Sequence, residues 1–323
     1  MPKVYLPRML RSETIARLEE TCEVRAWTGE GKCPPDVAKV EIADADAVLG
    51  NYPYTAGLIE SATRVRIIAN IGVGYDNVDV AAATAKGIIV TNTPDVLTET
   101  TADLTFALLM ATARRLGEAE RFVRSGQWTG TRGSETLLGG DVFGTTLGVI
   151  GLGRIGAAVA RRGLGFGMRV LYFDPIRRPD LEAKYGFEPT DMDSLLRTSD
   201  FVTIHMPLSD ATRHIIGARE MGLMKSSAYL INASRGPVID EQALIKCLSE
   251  NRIAGAGLDV FEREPVDKDN PLLKMDNVVV LPHVGSATVA TRFAMETLAA
   301  NNVLAVLRGE RPLTPVNPKV LDR

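Results

Sequence analysis

Residues 146–156 read Thr-Leu-Gly-Val-Ile-Gly-Leu-Gly-Arg-Ile-Gly, a hydrophobic strand that runs directly into three spaced glycines. Each glycine has its own task in a strand–turn–helix unit. Gly151 permits the tight turn, Gly153 lets the backbone approach a diphosphate, and Gly156 lets the following helix pack closely on the sheet. The N–H groups at the start of that helix, aided by its dipole, then hold the anion. Alone, such a pattern is a weak signal. Here a strand precedes it, the amphipathic run Ala157–Arg162 follows, and a second strand ends in an acid, Asp174, about 20 residues on. The position is as constraining as the pattern. Since 145 residues come before Thr146, another folded unit must occupy the front of the chain.

That front section alternates. Lys3–Leu6, Ala47–Leu49, Val65–Ala69 and Gly87–Asn92 predict buried strands, separated by helix-like stretches that include Ser12–Thr21 with Ser12 as its N-cap. The pattern predicts a small parallel-sheet α/β unit. Asn92–Asp95 is a turn cluster and a candidate hinge. Glu99–Val123 predicts one long helix. Its Phe106–Ala111 stretch is apolar nearly all round, so it is buried by its own domain or by a partner chain. Gly126–Gly140 reads as a loop. From Gly144 onward, strands predicted at 146–150, 169–173, 201–205, 228–232, 255–260 and 278–281 alternate with helices, as in a doubly wound dinucleotide domain. A helix over Ala287–Arg308 closes the pattern.

Composition bounds the function classes. The chain has 323 residues, for which two domains are expected, and its 45% apolar and 24% charged content is that of a soluble globular protein. A net charge of −3 gives no basis for a nucleic-acid partner or an anionic membrane surface. No apolar run reaches the ~20 residues of a membrane span. The N-terminus lacks the apolar region and cleavage site of a signal peptide, so a cytoplasmic location is expected. Cys22, Cys33 and Cys247 are scattered, without metal-ligand spacing. They read as free thiols, and no metal is expected.

Asp174 bears on the cofactor. A carboxylate there accepts hydrogen bonds from ribose hydroxyls and repels a 2′-phosphate, which favours NAD(H). Arg177 and Arg178 follow closely and could instead hold that phosphate, which leaves NADP(H) possible.

Three residues sit just beyond predicted strands, where ligands bind in a doubly wound sheet: Arg235 in Ile231–Gly236, Glu264 in Leu258–Pro265 and His283 in Leu281–Ser286. Reducing a 2-keto acid needs a hydride, a proton for the carbonyl oxygen and a cation for the carboxylate. His283 can supply the proton. Glu264 can orient its other ring nitrogen and favour its charged form. Arg235 can bind the carboxylate or polarise the carbonyl. Of the remaining histidines, His205 ends an apolar strand and reads as lining the cofactor pocket, and His214 as a loop or helix-start residue.

These segments together resemble the D-isomer-specific 2-hydroxyacid dehydrogenases. The carriers are GLGRIG at 151–156, NASRGPVIDE at 232–241, GAGLDVFEREP at 255–265 and PHVGSAT at 282–288. The resemblance implies an α/β fold of two domains. A doubly wound (Rossmann) NAD-binding domain, 99–286, is inserted into a smaller flavodoxin-like substrate domain, 1–98 and 287–323. It implies Arg235, Glu264 and His283 as catalytic residues. It also implies cofactor contacts from Gly151, Gly153, Arg154, Ile155, Gly156, Asp174, His205, Pro207, Thr212, Ala233, Ser234, Arg235, Asp259, His283 and Gly285. In the front domain, Ile71–Asn77 resembles the loop whose N–H groups, at Val73 and Gly74, hold the substrate carboxylate.

The likeness within the family is greatest to glyoxylate/hydroxypyruvate reductases, on Val73–Asp79, Val90–Thr98, Thr101–Asp103 and Arg121–Trp128. It implies a small 2-keto or 2-hydroxy acid substrate and a homodimer to which the helix Thr101–Ala113 contributes. The stretch Thr129–Leu138 departs from those relatives, many of which carry an aromatic-rich segment there. Two alternatives accompany this reading: a phosphoglycerate dehydrogenase-like enzyme, suggested by Asp174-Pro175-Ile176, and a corepressor-like protein that binds NAD(H) without turnover.

Overall fold

The computed structural model describes residues 1–130 and 136–322. The chain forms two compact units, Met1–Leu97 with Ala287–Arg323, and Thr98–Ser286.

The first unit carries strands β1 (Lys3–Leu6), β2 (Glu23–Ala26), β3 (Ala47–Leu49), β4 (Ile67–Ala69) and β5 (Ile89–Thr91). Helices α1 (Ser12–Glu19), α2 (Pro35–Asp44), α3 (Ala56–Ser61) and α4 (Val80–Ala85) connect them. All pairings are parallel, in the order β2-β1-β3-β4-β5, which is the flavodoxin-like order. β3 and β4 are buried at every residue, as expected of a parallel sheet covered on both faces. The edge strand β2, Glu-Val-Arg-Ala, is half exposed, and its charges hid it from a reading based on apolar runs. Ser12 does not cap α1. It is the first helical residue, and the N-cap position is Arg11, whose N–H donates to Glu296.

The second unit opens with α5 (Thr98–Ala113) and α6 (Leu116–Arg124). The single long helix expected over 99–123 is therefore broken. Arg115 adopts a left-handed backbone, φ 52°, and its guanidinium holds Glu118 and the carbonyls of Thr136 and Leu138. Gly140 N–H closes on Ala113 O at 2.9 Å. Arginine is an ordinary helix former, so nothing local signals this break. α5 is buried within its own unit through Phe106, Leu108 and Leu109, whereas α6 buries no residue fully.

The elements that follow are β6 (Thr146–Ile150), α7 (Arg154–Gly165), β7 (Arg169–Phe173), α8 (Pro179–Tyr185), β8 (Glu188–Pro189), α9 (Met192–Thr198), β9 (Phe201–Ile204), α10 (Ala218–Met221), β10 (Tyr229–Asn232), α11 (Glu241–Ser249), β11 (Gly255–Leu258) and β12 (Val278–Val280). The seven strands are parallel, in the order β12-β11-β10-β9-β6-β7-β8. Chain order reverses between β6 and β9, the switch point of a doubly wound sheet. Side chains alternate between two apolar clusters: Leu147 and Val149 of β6 enter one and Ile150 the other. The closing helix α12 (Val289–Leu307) belongs to the first unit, where it packs on β3, β4 and α1.

Candidate active site

The glycine turn joins β6 to α7. Gly151 has φ 92°, and a Cβ there would lie 2.9 Å from His205 backbone. A Cβ at Gly156 would lie 2.0 Å from Gly151 O, so only glycine lets α7 begin this close to the strand. Gly153, the N-cap of α7, has nothing within 4 Å of its Cβ position and no side-chain cap. An open backbone at an uncapped helix start suits a diphosphate. The residues present therefore fit a dinucleotide, which Gly153, Arg154 and Ile155 would hold at the helix start.

Asp174 follows β7. Its Oδ2 accepts from Leu152 N–H and its Oδ1 from Ile176 N–H, each at 2.8 Å, so the carboxylate is fixed against the glycine turn. His205, one residue after β9, bonds Thr203 Oγ1 through Nε2 at 2.8 Å. Burial pushes its imidazole down to about 3, which keeps it neutral. Beyond it, Thr212 Oγ1 donates to Pro207 O at 2.7 Å and accepts from Ser209 N–H, building a compact turn. His214 has φ 53° and pairs with Glu262 at 2.7 Å.

Arg235, Glu264 and His283 follow β10, β11 and β12, neighbouring strands of one sheet. The ladder continues past the strand ends. Asp259 N–H donates to Asn232 O at 2.9 Å, and His283 N–H donates to Asp259 O at 2.8 Å. The three loops are thereby held in register. Asn232, which is fully buried, folds the first of them. Its Oδ1 accepts from Ser234 N–H and hydroxyl, and its Nδ2 donates to Arg235 O at 2.9 Å. A Cβ on Gly236 would fall 1.8 Å from Phe261 O. Only glycine lets the Arg235 loop lie against the loop that leads to Glu264.

His283 holds a left-handed backbone, φ 56°, a sparsely populated state for a non-glycine residue. Its Nδ1 is 2.8 Å from Glu264 Oε2, while Glu264 Oε1 accepts from Phe261 N–H at 3.1 Å. Burial raises the Glu264 carboxyl, but His283, Phe261 N–H and Arg235 outweigh it and hold the group below its usual range. Asp259, 1% exposed, accepts from Val284 and Gly285 N–H at 2.8 Å each. There burial prevails and raises the carboxyl despite those N–H groups and His283. With Nδ1 held by a carboxylate, the other ring nitrogen of His283 is the one left to exchange a proton with a ligand.

Val73 and Gly74 lie in the first unit, on the loop after β4. Three successive carbonyls of that loop are tied down: Gly72 O by Thr93 N–H at 2.9 Å, Val73 O by Asn92 Nδ2 at 2.8 Å and Gly74 O by Asn70 Nδ2 at 2.8 Å. Asn77 Nδ2 in turn holds Asn70 Oδ1 at 3.0 Å. Among the described residues, no backbone carbonyl accepts a hydrogen bond from the N–H groups of Gly72, Val73 or Gly74. A turn with committed carbonyls is suited to act as an anion nest through its N–H groups. The hydrogen-bonding roles of the asparagines that build it, and of Asn232 in the other unit, escaped the sequence reading. An asparagine closing an apolar strand, as in Tyr229-Leu-Ile-Asn232, was the available signal. The divergent stretch Thr129–Leu138 lies partly outside the described residues. No described helix is long and apolar enough to cross a membrane.

Residues 106–285 match the family model of the D-isomer specific 2-hydroxyacid dehydrogenase NAD binding domain. A glyoxylate reductase of Korarchaeum cryptofilum is 49% identical over 322 residues, 99% of this chain and 97% of that protein. Among solved structures, a glyoxylate reductase from Paecilomyes thermophila superposes with a TM-score of 0.88 at 32% identity, over 98% of this chain and 99% of that one. An NADPH-dependent glyoxylate/hydroxypyruvate reductase from Sinorhizobium meliloti does so with a TM-score of 0.87 at 36% identity, over 98% of each chain. The chain belongs to the D-isomer-specific 2-hydroxyacid dehydrogenases, a family of NAD(P)-dependent oxidoreductases.

Proposed function

We propose that this protein reduces a small 2-keto acid, glyoxylate or hydroxypyruvate first, to the 2-hydroxy acid, with NADH as the preferred reductant. The observation that carries the chemistry is the Glu264–His283 pair at 2.8 Å, on a loop register shared with Arg235. Relatives named glyoxylate reductase, 43–49% identical over 99% of this chain, support the substrate class. The bound nicotinamide supplies the hydride. His283 gives a proton to the carbonyl oxygen, and Glu264, bonded at Nδ1, holds the imidazole in orientation. Arg235 polarises the carbonyl or binds the carboxylate through its planar fork. The Val73 and Gly74 N–H groups take the carboxylate. The first unit is the substrate domain and the second the cofactor domain. Asp174 supports NADH over NADPH, since a fixed carboxylate repels a 2′-phosphate.

The protein works as a homodimer in a cytoplasmic setting. α5, over Thr101–Ala113, contributes to the face for a second copy, and α6, which follows it, adds the exposed apolar side chains of Leu116 and Val123. Sedimentation of wild type and a Val123→Glu variant tests this: a monomeric wild type refutes it.

The decisive experiment is a steady-state panel of glyoxylate, hydroxypyruvate, pyruvate and phosphohydroxypyruvate, each with NADH and NADPH. The highest kcat/KM is expected for glyoxylate or hydroxypyruvate with NADH. A clear preference for phosphohydroxypyruvate would reassign the substrate. No turnover of any keto acid, with NADH still bound, would leave a nucleotide-sensing protein.

A further inference from the structure

The loop between β7 and α8 carries two cations, Arg177 and Arg178, directly after the ribose-side acid Asp174. By residue type it could accept a 2′-phosphate. Its side chains are otherwise committed. Arg177 forks onto Glu182, with Nε 2.9 Å from Oε1 and Nη2 2.8 Å from Oε2. Arg178 forks onto Asp180, at 3.0 and 2.8 Å, and donates to Leu152 O at 3.1 Å.

The two pairs differ in their anchorage. The Asp180 side chain is well exposed, but that of Glu182 is 16% exposed and accepts a second bond, from Tyr172 hydroxyl at 2.5 Å. Tyr172 is 1% exposed in the apolar core, and its oxygen also accepts Arg178 N–H at 3.0 Å. Glu182 is thus fixed from inside the fold, and Arg177, with its side chain 68% exposed, comes to it. Arg177 and Tyr172 together hold the Glu182 carboxyl below its ordinary range, so it is charged at neutral pH.

A guanidinium edge that grips a carboxylate with two N–H groups is the same edge that would grip a phosphate. We propose that Glu182 is a specificity-determining residue. Anchored on Tyr172, it sequesters Arg177 and so withholds the cation that a 2′-phosphorylated nucleotide would need. The proposal rests on the NADH reading above and names the residue, beyond Asp174, that maintains it. Because Arg177 is exposed, the withheld interaction is modest, up to about fivefold in affinity.

The test uses the full-length protein and calorimetric titration with NADP⁺, 2′,5′-ADP and NAD⁺, alongside kcat/KM with NADPH and NADH. Glu182→Gln keeps the acceptor for Tyr172 but removes the charge. It should tighten NADP⁺ and 2′,5′-ADP roughly three- to fivefold and leave NAD⁺ within about twofold. In the Glu182→Gln/Arg177→Ala double variant the gain should vanish. An unchanged NADP⁺ affinity in Glu182→Gln overturns the proposal. So does a gain that survives loss of Arg177, since removal of a negative charge would then be the whole effect. Should Glu182→Gln fold poorly, Arg177→Ala alone decides: it should leave NADP⁺ affinity unchanged, and a loss would mean that the arginine was already available. Wild-type preference for NADPH would refute the NADH reading; a null result in Glu182→Gln with wild type still preferring NADH refutes only the role of Glu182.

Discussion

Glu264 Oε2 lies 2.8 Å from His283 Nδ1, and the residue that bears the imidazole is held at φ 56°. A carboxylate kept ionised by its surroundings therefore faces a ring whose backbone is in an uncommon state. Such an outlier persists only where neighbouring structure fixes it, and His283 N–H on Asp259 O does so here.

If His283 is the proton donor, His283→Ala should lower kcat by roughly 10²–10⁴-fold. NADH titration by fluorescence should show that the cofactor still binds. Near-normal turnover with intact cofactor binding would remove His283 from the chemistry. Glu264→Gln should fall between this variant and wild type, because the amide oxygen still accepts the Nδ1 hydrogen but makes a weaker bond than a carboxylate.

Gly236 is where the Arg235 loop meets the backbone before Glu264. A methyl group would need the space 1.8 Å from Phe261 O. Gly236→Ala should destabilise the fold by about 1–3 kcal/mol, measured by urea unfolding. It should also lower kcat in the folded fraction, because two candidate residues shift together. A variant as stable and active as wild type would show that the two loops do not set each other's position.

Legibility from sequence divides along physical lines. β6 and β7 span the residues expected of them, since parallel strands buried through their middle read as short apolar runs. β2 and β8 do not show in such a reading, because edge strands carry charges and proline. The α5–α6 break is set by a returning loop that binds Arg115, a long-range cause with no local sign. In the site, Arg235, Glu264 and His283 could be named because each follows a strand. Apart from the Glu264–His283 pair, the hydrogen bonds that shape their loops could not. Asn232 and Asn92 act through backbone carbonyls, and composition says nothing of which carbonyl an amide will find.

Asn92 illustrates this. Its amide pins Val73 O at 2.8 Å, in the turn that bears the Val73 and Gly74 N–H groups. Asn92→Ala should release that carbonyl and loosen the nest by about one hydrogen bond, roughly 0.5–1.5 kcal/mol. The expected result is a severalfold higher KM for the keto acid, with kcat and the NADH dissociation constant little changed. A variant with unaltered KM would mean that the loop holds its shape without the amide, or that the carboxylate binds elsewhere. Citrate or oxalate competition, read as an inhibition constant, separates these: only the second leaves the inhibition constant untouched in a Val73→Pro variant, which removes one N–H.

His205 gives the fold a pH dependence of known sign. Burial lowers its imidazole from 6.5 to about 3, so the folded protein keeps it neutral where the unfolded chain would protonate it. Between those values the unfolded state binds more protons, and stability must fall as pH falls. The contribution is complete above about 6.5 and is lost progressively as pH drops toward 3. His205→Asn keeps a polar, uncharged partner for Thr203 but cannot titrate. The variant should be less stable than wild type at pH 7.5, where the native imidazole bond is intact, and the gap should narrow between pH 6.5 and 5. Thermal melts of both proteins across that range measure it. Parallel curves would show that the ring protonates in the folded state as readily as in water.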